Sequence, residues 1–123
     1  FITKRNAPMS FWGPPGTIQM IDGLQEFMSH DVVARVNPVV KPIGIRTIVK
    51  EITEGIIFED KTVRISAITA EHGDGNPAVA YLFEYGGHSV LLTGDSTYTP
   101  TFGRVARQVD VTICNVFAPS FGE

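Results

Sequence analysis

Three short stretches of this chain carry side chains that could do chemistry: Glu71-His72-Gly73-Asp74, Gly94-Asp95-Ser96 and Cys114-Asn115. An imidazole and a carboxylate are donors suited to Zn²⁺ or a similar divalent ion, which makes His72 and Asp95 the candidate metal pair. Against this stands a plainer reading. A histidine in a glycine-rich loop is more often solvated, and Gly-Asp after a strand is more often a turn. His30 and His88 fit surface roles and stay outside the site. Cys114, near the end of an apolar strand, reads by default as a buried small hydrophobe, and only placement on the site edge would make it a ligand or nucleophile.

The strand pattern brings these stretches together. Short β-rich runs bounded by turn residues fall at 45–52, 56–58, 63–70, 78–85 and 88–93, which predicts an antiparallel meander. The two-residue link Gly86-Gly87 suits a tight hairpin, because both central positions of a type I′ turn need positive φ. The runs at 78–85 and 88–93 are apolar on both faces and are expected to be covered on both sides. Thr99-Pro100 is a cap followed by proline at the first helical position, and Phe102, Val105 and Val109 make the inward stripe of a helix before a last strand at 111–116.

Pairing 63–70 with 78–85 and 78–85 with 88–93 makes 63–70 and 88–93 point the same way. The helix then closes a βαβ crossover, so the last strand lies parallel to 88–93. All three ends share one edge of the sheet, the usual place for an α/β active site, and the three polar stretches lie just past them. Further upstream, a short strand at 9–12 runs into the rigid turn Gly13-Pro14-Pro15-Gly16. Thr17 is expected to cap a helix whose stripe is Ile18, Ile21, Leu24 and Met28. Residues 31–36 should add a helical turn with Asp31 as its cap, and Pro38 and Pro42 should enforce an extended connection.

Composition bounds the function class. With 123 residues, 43% hydrophobic, and a single cysteine, the chain reads as one domain over 1–123 that can bury a core and forms no internal disulfide. Lys+Arg 10 against Asp+Glu 13 weighs against a non-specific nucleic-acid binder, though not against an enzyme that binds one phosphodiester locally. The longest apolar run, 78–83, is far short of the roughly 20 residues that span a bilayer, so no membrane partner is expected. One unpaired cysteine fits the cytoplasm but leaves the compartment open. The start at Phe1 rather than Met is read as a processing or fragment boundary.

The run FWGPPGT at 11–17, the segment DVVAR at 31–35, and EHGDGNPAVAYLFEYGGHSVLLTGDSTYTP at 71–100 together resemble metallo-β-lactamase-fold hydrolases of the ribonuclease Z-like branch. The likeness runs from about residue 9 to 117. It implies an α/β fold, part of an αββα sandwich with a mixed, mainly antiparallel sheet and two main helices. It also implies that His72 is a metal ligand and that Asp95 bridges two divalent zinc ions. In such sites metals about 3.5–4 Å apart lower the pKa of a bridging water and neutralise charge on the scissile group. Glu71 or Asp74 would hold the other ring nitrogen of His72.

The substrate implied is a small-molecule ester or a phosphodiester, with nucleic acid left open. The family's His-x-His-x-Asp-His motif is absent, since the three histidines stand apart. Cys114 and Asn115 occupy positions where ribonuclease Z-like proteins tend to carry His-Glu, the histidine being implicated in proton donation. The expectation is a fragment of, or truncated, metal-dependent hydrolase, one partial domain not competent by itself. A different class is a stand-alone non-catalytic half-fold module that dimerises or binds a partner through its open sheet face. A third option is a mononuclear site of His72, Asp95 and Cys114.

Overall fold

The computed structural model describes residues 5–36, 41–73, 75 and 77–115. Pro38, Asp74 and Val116, which figure in the expectations above, lie outside them. The chain divides into two compact units, Phe1–Ile52 and Thr53–Glu123.

In the first unit, strand β1 (Met9–Gly13) and strand β2 (Thr47–Glu51) pair in parallel, Met9 opposite Thr47 and Gly13 opposite Glu51. Helices α1 (Thr17–Phe27) and α2 (Ser29–Arg35) and a 3₁₀ turn at Pro42–Gly44 make the crossover that a parallel pair requires. The run at 45–52 therefore does not belong to the antiparallel meander. Its partner lies some forty residues upstream, and short-range patterning carries no signal of that.

The capping expectations also change. Thr17 opens α1 but its hydroxyl donates to the Pro14 carbonyl at 2.6 Å, whereas the Glu51 carboxylate accepts from the Gly16 and Ile18 amides at 2.7 and 3.1 Å. A negative side chain from the end of β2 thus satisfies the free N–H groups at the positive end of α1. Asp31 sits inside the first turn of α2 and pairs with Arg35 at 2.7 Å, while Met28 occupies the cap. The turn foreseen at 31–36 is a separate helix.

The second unit is a five-stranded sheet in the order β3-β4-β5-β6-β7, formed by Gly55–Glu59, Val63–Glu71, Pro77–Tyr85, His88–Leu92 and Val111–Ile113. The first four strands are antiparallel neighbours. Helix α3 (Pro100–Ala106) carries the chain over to β7, which lies parallel to β6, as the crossover argument predicts. Gly86 and Gly87 take φ of 58° and 81°, the conformation that the tight hairpin demands.

The helix starts as expected too. Thr99 Oγ1 accepts from the Phe102 amide at 3.2 Å and Pro100 fills the first helical position. Phe102 then faces the sheet and packs in one core with Ile68, Ala70, Ala80 and Leu91, flanked by Val105, Ala106 and Val109. The register explains the cluster: Ile68 pairs with Ala80, Ala70 with Ala78 and Leu82 with Leu91, so all share one face, and the alanines leave room for the phenyl ring. On the other face Ala67 is buried and Tyr81, Phe83, Val90 and Leu92 are half-buried. Among the described residues no helix is long and apolar enough to cross a membrane.

Candidate functional site

Strands β4, β6 and β7 end on one edge of the second unit, and the candidate residues stand just past those ends. The distance between them is closed by the segment after β6. Thr93, buried, ties it to β7 by donating its amide to the Ile113 carbonyl at 3.1 Å. Gly94, at φ 63°, turns the chain. Ser96 and Thr97 then dock on the end of β4: the Glu71 amide donates to Ser96 Oγ at 3.0 Å, and the Thr97 amide donates to the Glu71 carbonyl at 2.8 Å.

This docking brings Asp95 against His72. Their Nε2 and Oδ2 atoms are 3.0 Å apart, and each is the other's side-chain partner among the described residues. Both side chains are open to solvent, 46% and 65% exposed, and a polar contact this wet contributes at most about 1 kcal/mol. Stability alone therefore gives little reason for the arrangement.

The other candidates separate. Glu71 takes part through its backbone. Cys114 is exposed rather than buried, because β7 ends at Ile113 and leaves it on the site edge. It nonetheless does not join the pair, since the described residues contain no group of three His, Cys, Asp or Glu able to hold a metal. His88, 82% exposed, and His30 on α2 lie on the surface, as expected.

The donor set sets the fit to a metal. Two protein ligands about 2.0–2.1 Å from a tetrahedral ion stand roughly 3.4 Å apart, so a nitrogen and an oxygen at 3.0 Å need to spread only slightly. Their chemistry suits zinc, but their number does not complete a site that takes three or four protein ligands.

The segment after Asp95 lines a pocket of about 240 Å³, with Ser96, Thr97, Tyr98, Phe102, Cys114 and Asn115 among its walls. The sequence places Ser96 on the site edge, whereas Thr97 and Tyr98 were overlooked. The hydroxyl-rich run from Ser96 to Thr99 is the signal that could have found them.

Comparison with known proteins shows what the chain is similar to. No family model matches the chain. It is 27% identical over 92 residues to ribonuclease Z of Mycolicibacterium gilvum, covering 72% of this chain and 32% of that protein. To ribonuclease Z of Mycobacterium tuberculosis strain H37Rv it is 26% identical over 113 residues, 89% of this chain and 41% of that protein. Among solved structures, Zn²⁺-bound PqqB from Methylobacterium extorquens superposes with a TM-score of 0.61 at 12% identity, over 93% of this chain and 40% of PqqB. The short form of human tRNase Z gives 0.54 at 14% identity, over 87% of this chain and 45% of the enzyme. The chain is similar in sequence to ribonuclease Z and has the metallo-β-lactamase fold of these solved structures. It spans a third to a half of the length of the curated relatives it matches. The mixed, mainly antiparallel sheet inferred from the ribonuclease Z-like motifs is the sheet observed.

Proposed function

We propose that this chain supplies the His72 and Asp95 part of a two-zinc site in a metal-dependent hydrolase of the ribonuclease Z type, acting on a phosphodiester or a related ester. The observation that carries the reading is the 3.0 Å approach of His72 and Asp95 at the shared strand edge, built by a loop whose own hydrogen bonds go to Glu71. The likeness to ribonuclease Z supports the hydrolase class, and the Zn²⁺ of PqqB supports the choice of metal.

When bound, the metals would activate a water and offset charge on the scissile group. This chain's residues would hold the ions, His72 through a ring nitrogen and Asp95 through its carboxylate. The Ser96 and Thr97 contacts keep that carboxylate in place. With two donors among the described residues, the chain alone is not a competent hydrolase, and RNA processing lacks a histidine at Cys114 to protonate the leaving group.

Two tests bear on this. The coding sequence upstream of Phe1 is expected to encode a His-x-His-x-Asp-His motif, and its absence contradicts the reading. Incubated with Zn²⁺ and bis(p-nitrophenyl) phosphate, the chain alone should release no nitrophenol above the buffer rate.

A second reading is a non-catalytic module that pairs with a second copy through the sheet face opposite α3. Phe58, Tyr85, Val111 and Ile113 lie on that face and are exposed, which supports it. Sedimentation showing a monomer at high protein concentration would remove it.

A further inference from the structure

Within the first unit, α2 and the stretch that leads into β2 border a pocket of about 480 Å³, inside the range of roughly 300–1,000 Å³ that small ligands fill. Val32 and Val33 of α2 line it together with Pro42 and Ile45. All four are aliphatic, and among the described residues no aromatic ring lines the pocket, so it offers apolar area without a face for stacking. A helix of seven residues with no buried side chain is marginal by itself, and an occupant against Val32 and Val33 would add the apolar burial that α2 lacks.

One charge borders this apolar area. Arg46 is the charged residue among the described residues that line the pocket; it is exposed, and its guanidinium makes no hydrogen bond or ion pair with any other described residue. Two of the unit's carboxylates are engaged elsewhere, Asp31 with Arg35 and Glu51 with the amides that open α1. Over residues 1–52 the sequence holds six Lys or Arg against four Asp or Glu, the reverse of the balance in the whole chain, so this unit favours an anion. Gln25 Nε2 already donates to Thr47 Oγ1 at 2.9 Å, which leaves the Arg46 guanidinium as the strong donor at the pocket. A single guanidinium suits one carboxylate, whose two oxygens match its planar fork, whereas phosphate groups are commonly met by several cations.

We propose that this pocket binds a single-chain carboxylate, its acyl chain along Val32, Val33, Pro42 and Ile45 and its carboxylate on Arg46. The site lies wholly within the first unit and stands or falls apart from the zinc reading of His72 and Asp95.

The test uses the full chain with octanoate, octylammonium and acetate as probes, below the concentrations at which the long-chain ions form micelles. In titrations followed by NMR, octanoate should shift the Val32, Val33 and Arg46 amides and bind at least about threefold more tightly than octylammonium, as an exposed charge pair allows. Acetate, which lacks the chain, should bind at least about tenfold more weakly than octanoate. Arg46→Gln should bring octanoate and octylammonium to equal affinity, and Arg46→Lys should keep the preference for the anion. Val33→Asp, at a position 72% exposed, should weaken octanoate and not octylammonium. Equal affinities for the two long-chain ions in the parent chain, acetate binding as tightly as octanoate, or a preference for octanoate that survives Arg46→Gln would each overturn the assignment. So would shifts at the exposed Met20 and Phe27 of α1 as large as those at Val32 and Val33, which mark unspecific attachment to apolar surface. Tighter binding of a peptide ending in a free leucine than of octanoate would overturn the choice of an acyl chain.

Discussion

Two edges of the second unit each place a histidine near an aspartate and a serine, and they use them differently. At the hairpin edge Asp110 Oδ2 accepts from the Ser89 amide at 2.6 Å and from its hydroxyl at 3.1 Å, and the Asp110 amide donates back to Ser89 Oγ. His88 stands 3.9 Å away and is largely in water. Here the carboxylate fastens the start of β6, and the Ser89 amide holds its pKa below the ordinary carboxylate value. At the strand-end edge the fastening is done by Ser96, Thr97 and the Glu71 backbone, which leaves the Asp95 carboxylate to face His72 at 3.0 Å. The same residue types serve as a fastener at one edge and as an available donor pair at the other. What separates them is which backbone amides claim the carboxylate.

The largest effect that can sharpen this contrast is loss of the ring beneath the site edge. Phe102→Ala should cost about 3–5 kcal/mol in urea unfolding, since the ring is 6% exposed and few neighbours can close the void. Under native conditions the Thr97 amide should lose more hydrogen-exchange protection than the Ser89 amide. Equal loss at both would break the distinction between the edges.

Ser96→Ala removes the acceptor for the Glu71 amide and should cost about 1 kcal/mol, with the His72 and Asp95 resonances shifting because the loop is no longer docked. Unmoved resonances would mean that the tether does not position the pair.

Asp110→Asn probes the other edge through pH. Because the folded-state pKa of Asp110 lies below its ordinary 3.8, the residue contributes stability above that pH and loses it as acid titrates the folded carboxylate. Thermal melts of the variant should therefore fall less steeply below about pH 4 than those of the parent chain. An unchanged acid limb would contradict the fastening role. The smallest effect is expected for His88→Ala, within about 0.5 kcal/mol of the parent, in keeping with an exposed side chain 3.9 Å from its neighbour.

Much of the second unit was legible because its signals are local. Gly86-Gly87 specifies the hairpin, Thr99-Pro100 starts the helix, and the crossover rule aligns three strand ends, so His72 and Asp95 could be placed on one edge from the sequence. The first unit was less so. Pairing of β1 with β2 and the capping of α1 by Glu51 join residues 33 to 38 positions apart, which no periodicity encodes. Cys114 was misread as buried because the apolar run around it suggested a longer strand than the one that forms.

The most direct test of the contrast between the edges is zinc affinity, measured by calorimetry on the chain and on His72→Ala, Asp95→Ala, His88→Ala and Asp110→Ala. The account predicts at least about a tenfold loss for the first two, as expected for removal of a metal ligand, and parent-like binding for the last two. Equal zinc affinity in all five proteins, or a loss confined to the His88 and Asp110 variants, would contradict it.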